Sequence, residues 1–390
     1  MELQEPPDGM AAVRRLLFLV GAVVLVDTMF YAALTPLLPH YAEELGLSKT
    51  GAGILAGSYA LGALLAGIPA GILATRLGVK PTILIGLGGM TITTALFGFA
   101  QSESVLVLAR LLQGAASSCS WTAGLAWLIA DAPANTRGRL IGSAMGVAIF
   151  GAMLGPVIGG IASVTSIEGT FAVVACIGLG LAAWAAATPS RHEPSGQPVS
   201  LLFSALTKPR MLAGVWLVAL PSISFGALGV LAPLHLDALG LGALAITGVW
   251  IVAISFEATA APLVGYISDR RGRILPLLVG AAAAAVCFVL FAALDARWWT
   301  YAAVIVACSF ALGAFWAPSM SMASDEAEVL GLDYAFGFAI INLAWAPSQV
   351  AGSVGGGRLA DVTSDTVVYL ALAVLFTLTL AALWRSASSS

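Results

Sequence analysis

Of 390 residues, 59% are hydrophobic and 9% charged, against the roughly 25% charged of soluble domains, which excludes a soluble fold and leaves an integral membrane protein. The net charge of −3, with its basic residues scattered, offers no surface for nucleic acid. Apolar runs of about 20 residues, rather than alternating ten-residue ones, point to membrane-crossing helices and exclude an outer-membrane barrel.

Twelve spans are expected, near 14–40, 50–74, 81–100, 104–131, 139–165, 168–188, 210–236, 243–267, 274–294, 298–324, 333–357 and 365–385. The fold class is therefore an all-α membrane protein. The first span is too long for a cleavable signal peptide and lacks a small-residue cleavage site at its end. Between Arg15 and His40 its one acidic or basic group is Asp27, close to mid-membrane. A carboxylate there costs about 2.5–3.5 kcal/mol on the translocon scale, which marks Asp27 as a functional-site candidate. In the fourth span, LARLLQGAASS holds Arg110 and Gln113. A buried guanidinium needs an anion or several acceptors. Its depth brings Arg110 within reach of Asp27; the alternative is that it ties the fourth span to backbone carbonyls of the first.

The fifth span carries Gly142, Gly151, Gly155-Pro156 and Gly159-Gly160. Small residues four apart allow close helix contact, here expected against the eighth span, and Pro156 kinks the helix. The stretch from Ala187 to Lys208, with Pro189, Pro194, Gly196 and Pro198, is the longest connection. It divides the chain into an N-terminal six-helix bundle (1–187), a linker (188–208) and a C-terminal six-helix bundle (209–390). In the eighth span, WIVAISFEATAAPLVG places a second acid, Glu257, mid-span. Cys119, Cys176, Cys287 and Cys308 fall inside spans and read as small apolar side chains, without disulfide or metal-ligand spacing.

Orientation follows the basic residues of short loops. With the N-terminus inside, 13 of the 17 Lys and Arg are cytoplasmic, and both termini with them. An internal repeat orders the whole: GILATRLGVK at Gly71–Lys80 recurs as GYISDRRGRI at Gly265–Ile274, and the same offset of 194 carries Asp131 onto Asp325. Two six-span halves in the same orientation result, related by an axis along the membrane normal.

These loops, with Gly, three residues, Asp, Arg, one or two residues, Gly and then basic residues, resemble the loop that the major facilitator superfamily carries between its second and third spans and often between its eighth and ninth. Asp269, Arg270, Gly272 and Arg273 match in the second copy; in the first, Thr75 stands at the family's Asp. The resemblance covers essentially the whole chain and implies a substrate path between two pseudo-symmetric bundles. It also implies a cytoplasmic gating network in which Arg76 meets Asp131, and Asp269 with Arg270 or Arg273 meets Asp325. The fifth-span glycines resemble a pattern that marks the antiporters, chiefly drug exporters, of that superfamily. Arg110, Gln113 and Gly114 match its fourth-span pattern. DTMFYAALTPLLPHY, at Asp27–Tyr41, is similar to the first span of vesicular amine transporters and bacterial drug/proton antiporters, in which the Asp engages cationic substrate or proton. Ala232, Gly313 and Asn342 stand where amine transporters carry acids, which argues against a strict monoamine transporter.

The function expected is proton-coupled export of small organic, cationic or amphipathic compounds by alternating access. A facilitator or importer, with an anion on Arg110, is the alternative. Asp27, Glu257 and Arg110 would couple protons to substrate, because burial and neighbouring charge move the proton affinity of such acids. Tyr31, Gln113, Trp121, Trp127, Trp250, Phe256, Trp316, Asn342 and Trp345 would line the cavity, where rings suit cations and flat apolar molecules. No metal or cofactor is expected, because HExxH and GxxxxGK[ST] motifs are lacking. A monomer in the plasma (inner) membrane is expected, with lipid, protons and a small molecule as its partners.

Overall fold

A computed structural model describes residues 7–132, 136–190, 206–293, 297–330 and 334–388; within these, the side chains of 7–12, 131, 137–138, 261, 269, 323–324, 327–328 and 334–339 lie outside the description. Twelve helical rods follow. They are α1 (Pro7–Ala33, continuing through a 3-10 turn at Thr35–Leu37 into Leu38–Glu44), α2 (Lys49–Leu77), α3 (Val79–Gly98), α4 (Glu103–Asp131), α5 (Arg137–Val164) and α6 (Ile167–Ala187). The second six are α7 (Pro209–Ala238), α8 (Ala243–Arg271), α9 (Ile274–Ala293), α10 (Trp298–Gly313, then Trp316–Val329), α11 (Tyr334–Val350, a π turn at Ala351–Gly355, Gly356–Val362) and α12 (Asp365–Ser388). Ten candidate membrane spans meet the requirements of length and apolarity among the described residues. The other two rods are α4, with the buried polar residues Arg110, Gln113, Ser117, Ser118 and Ser120, and α11, interrupted by its π turn. Most of the expected linker, residues 191–205, lies outside the described residues.

The packing repeats with a period of six helices. In the first half α1 packs on α5, α2 on α4, and α3 on α6; in the second α7 packs on α11, α8 on α10, and α9 on α12. The halves meet where α5 faces α8 and where α2 faces α11, themselves equivalent pairs. This is the arrangement of two six-helix bundles expected of the repeat.

Apolar side chains cannot drive helix association in lipid, so close backbone approach at small residues matters. Gly62 and Gly114 bring α2 and α4 into backbone contact: a Cβ on either would overlap Leu111 O or Tyr59 O. In α5 the glycines serve a different partner from the one expected. Cβ atoms at Gly151, Gly155 and Gly159 would strike Leu25, Met29 and Ala33 of α1, whereas Gly160 alone of the set presses on Thr247 of α8, and Gly142 is exposed. The pattern is thus mainly a seam within the first bundle. Thr247 Oγ1 donates to Pro156 O (3.0 Å), a carbonyl where the α5 seam also touches the second bundle.

The cleft between the bundles is closed at one end. At the Lys49 end, Cβ atoms at Gly53 and Gly57 would collide with Ser353, and one at Gly357 with Lys49. There Asp361 of α11 caps the N-terminus of α2: its carboxylate accepts from Lys49 N (3.1 Å), Thr50 N (2.7 Å) and Thr50 Oγ1 (2.5 Å). Ser48 accepts from Gly51 N (3.2 Å), so the first three free N–H groups of α2 are satisfied, two of them by the other bundle. Lys49 Nζ also pairs with Asp365 Oδ1 at 2.5 Å. Midway, Gln349 Nε2 donates to Tyr31 Oη (2.6 Å) and Ser255 Oγ approaches Met153 Sδ (3.5 Å). Toward Arg76, Gly67, Gly71, Gly142, Gly146 and Gly265 have no described atom within 4 Å of a Cβ position.

Candidate functional site

Three helices converge on Asp27, which is 2% exposed. The Tyr59 hydroxyl of α2 donates to Oδ1 (3.1 Å) and Oδ2 (3.0 Å); from α4, Ser117 Oγ (3.0 Å) and Trp121 Nε1 (2.5 Å) both donate to Oδ2. The glycine contact at Gly114 explains the arrangement, because it seats Tyr59 directly against α4. Ser117 and Trp121 lie four apart and so share a face of α4 with Arg110, seven residues before Ser117.

Arg110 does not pair with Asp27. Its Nη1 donates to Phe30 O (3.1 Å) and Gln113 Oε1 (3.1 Å), and its Nη2 to Tyr31 O (3.1 Å). The guanidinium carbon lies 4.9 Å from the centre of the Tyr59 ring and 6.0 Å from that of Tyr31, so Tyr59 is wedged between cation and acid. Carbonyls left free where α1 turns into its 3-10 segment supply the acceptors that sequence reasoning offered as the alternative. Gln113 is likewise not a cavity residue: it is buried, accepts from Arg110 and donates Nε2 to Thr94 Oγ1 (3.0 Å).

In the second bundle Glu257 of α8 accepts from Trp316 Nε1 of α10 (3.0 Å). Trp316 stacks almost parallel to Phe225 of α7, 11° between planes and 6.4 Å between centres. Glu257 is half-buried, and no cation pairs with it among the described residues. Tyr31 lies 5.1 Å from the Tyr59 ring and edge-on to Trp345 of α11 at 5.7 Å, its hydroxyl held by Gln349. Gln349 was not expected from sequence, since a single amide in an apolar span carries no signal until Tyr31 is seen beside it.

The remaining expected residues divide. Trp250 is half-buried against the core, and Asn342 is half-buried on α11. Trp127 is fully buried within the first bundle, so it is packing rather than lining. Phe256 is 51% exposed in a stripe with Val252 and Leu263, on the side of α8 away from Thr247, Ser255 and Glu257; it faces outward, not into the cleft. In the gating network Arg273 Nη1 meets Asp325 Oδ2 at 2.5 Å, both exposed. Arg270 instead covers the Tyr266 ring at 4.3 Å. Arg76 is exposed, while the side chains of Asp131 and Asp269 lie outside the described residues. No cluster able to hold a metal occurs among the described residues.

Twelve membrane rods in two equivalent bundles, with an intramembrane acid in each, are the architecture of secondary transporters. A family model for the Major Facilitator Superfamily matches residues 20–349. The chain belongs to the Major Facilitator Superfamily, whose members are membrane transporters rather than enzymes. Among its relatives, it is 32% identical over 188 residues to the vesicular acetylcholine transporter of Drosophila melanogaster, an overlap of 41% of this chain and 32% of that one. The match to the synaptic vesicular amine transporter of Mus musculus is 30% over 207 residues, 52% of this chain and 39% of that one. The alignments thus span about a third of the length of these curated relatives. The fold is shared with the xylose transporter XylE from E. coli, solved in a partially occluded inward open conformation: TM-score 0.76, 14% identity, covering 96% and 98% of the two chains.

Proposed function

We propose that the chain exports small organic cations or amphipathic compounds in exchange for protons. The observation that carries this reading is the pair of carboxylates, Asp27 and Glu257, set in opposite bundles, each bonded to an indole N–H and neither ion-paired among the described residues. An acid inside a membrane is held against a large desolvation cost, so binding a proton or a cation, either of which neutralises it, biases the structure strongly. Substrate and protons then compete for the two acids, and their neutralisation lets the bundles rock. The relatives named for acetylcholine and amines, and the α5 glycine pattern, point the same way. An anion held by Arg110 is disfavoured, because its terminal nitrogens are already given to Phe30, Tyr31 and Gln113.

With the arginine-rich Arg76 end at the cytoplasm, the cleft opens inward and Asp361 seals the outer face. Both termini are then cytoplasmic, in the plasma membrane, and the monomer is the working unit. The test is uptake of ethidium into proteoliposomes under an imposed pH gradient, with proton movement followed in parallel. Ethidium moving against protons, and neither moving with Asp27→Asn, supports the reading; ethidium transport without proton flux overturns it.

A further inference from the structure

The two acids are not equivalent acceptors. An ionised carboxylate offers about four lone-pair directions. Asp27 is held by three donors, the Tyr59 hydroxyl shared between its two oxygens and Ser117 and Trp121 on Oδ2, all within its own bundle. A ligand reaching it has to pass these three donors. Glu257 receives one, from Trp316, among the described residues. It also stands beside a ready aromatic wall, Trp316 on Phe225, both half-buried. Gly313 shapes the seat: a Cβ there would lie 3.0 Å from Glu257 Cγ and 3.2 Å from Ala260 Cβ, so the absent side chain is the space in which the acid folds back toward Trp316.

Resting on the transport reading above, we infer that Glu257, with Trp316 and Phe225, is the site that captures substrate in this conformation, and that its ligand is an organic cation with a flat apolar body. Asp27 is engaged later, once its cradle of donors is broken by movement of the bundles. Gly313 is a positioning residue for Glu257. A carboxylate with uncommitted acceptor directions attracts charge, and an indole stacked on a phenyl ring gives an aromatic body a surface to lie on.

The test is binding of tetraphenylphosphonium to the purified full-length protein in nanodiscs, with neutral triphenylphosphine oxide as the uncharged counterpart. Wild type is expected to prefer the cation at least tenfold. Glu257→Gln abolishes that preference, and Asp27→Asn changes cation affinity less than threefold although exchange is lost. Gly313→Ala weakens cation binding by three- to tenfold. The double change Glu257→Ala with Gly313→Asp, which offers a carboxylate from the opposite wall, brings the preference back, a result that a purely structural role for Glu257 would not give. Loss of cation preference in Asp27→Asn but not in Glu257→Gln, or no preference in wild type, overturns the inference. Glu257-dependent cation binding without proton-driven uptake would sink the transport reading and leave this site standing; proton-driven uptake with Glu257-independent binding would do the reverse.

Discussion

Asp27 and Glu257 sit in equivalent bundles, yet among the described residues one is enclosed by three donors and the other is held by a single indole. The first bundle builds its acid site from three helices brought together by Gly62, Gly114 and the α5 glycines, with Arg110 bracing α4 to α1 from behind. The second builds its site from Glu257 and two aromatic rings, with a missing side chain at Gly313 for clearance. A carboxylate held by three donors is preorganised and resists change; one held by a single donor is more available. The comparison teaches that burial depth, which sequence reports for both, does not settle which acid meets a ligand first.

The largest effect expected is from Asp27→Asn. Its amide turns a donor toward Tyr59, Ser117 or Trp121, leaving a buried donor unmatched, and the exchangeable proton is gone. Exchange in proteoliposomes should fall at least 100-fold at normal protein levels. Tyr59→Phe comes next. It removes both contacts to Oδ1 and Oδ2 from one hydroxyl; a hydrogen bond to a charged group is worth about 1.5–3 kcal/mol, so exchange should slow by roughly ten- to a hundredfold. If Tyr59→Phe exchanges as fast as wild type, the enclosure of Asp27 has no functional weight.

The outer seal gives smaller effects. Asp361→Ala strips the cap from α2, worth about 1 kcal/mol, or roughly a fivefold shift of population toward the state open at the Lys49 end. Distances between spin labels across that end report it. Burial pushes the Asp361 carboxyl up, but the bonds from Thr50, Ser48 and Lys49 outweigh it and hold the group below the ordinary 3.8. A depressed carboxylate pKa contributes stability that is complete above the ordinary value and lost only as pH falls through the lowered one. External acidification from pH 7.5 to 5.5 should therefore leave this cap intact, and opening of the Lys49 end over that range through Asp361 would contradict the assignment. Gln349→Ala, removing the Tyr31 contact between bundles, should shift the same equilibrium by about 0.6 kcal/mol, the average for hydrogen bonds between membrane helices. Arg273→Ala should do least. Its pair with Asp325 is exposed on both sides, and such pairs are worth about 0–1 kcal/mol.

Much of the architecture was legible from the sequence. Twelve apolar segments, the offset of 194 and the loops at Gly71 and Gly265 each carry local signals of span, duplication and family. The acids Asp27 and Glu257 could be found because a charge in an apolar run is conspicuous. What could not be read was who faces whom. Arg110 and Asp27 are at compatible depths, yet the helix end before the 3-10 turn offers the carbonyls of Phe30 and Tyr31 that take the guanidinium first, and Tyr59 fills the gap. The α5 glycines announce a close contact but not its partner, which proved to be α1 for three of them. Aromatic residues have no depth signature: Trp121 and Trp316 reach the acids, whereas Trp127 is packed inside and Phe256 faces outward. The contacts of Asp361 and Asp365 carry no signal in the sequence, because the helix end and the lysine they meet are more than 300 residues away.

The central claim is that protonation of these membrane acids is exchanged against a cationic substrate. The most direct measurement is the proton count on adding tetraphenylphosphonium to the purified protein in weakly buffered solution, read with a pH indicator. Release of protons on binding, reduced in Glu257→Gln, is the result the account predicts. Saturable binding with no proton released over pH 5.5–8 would contradict it.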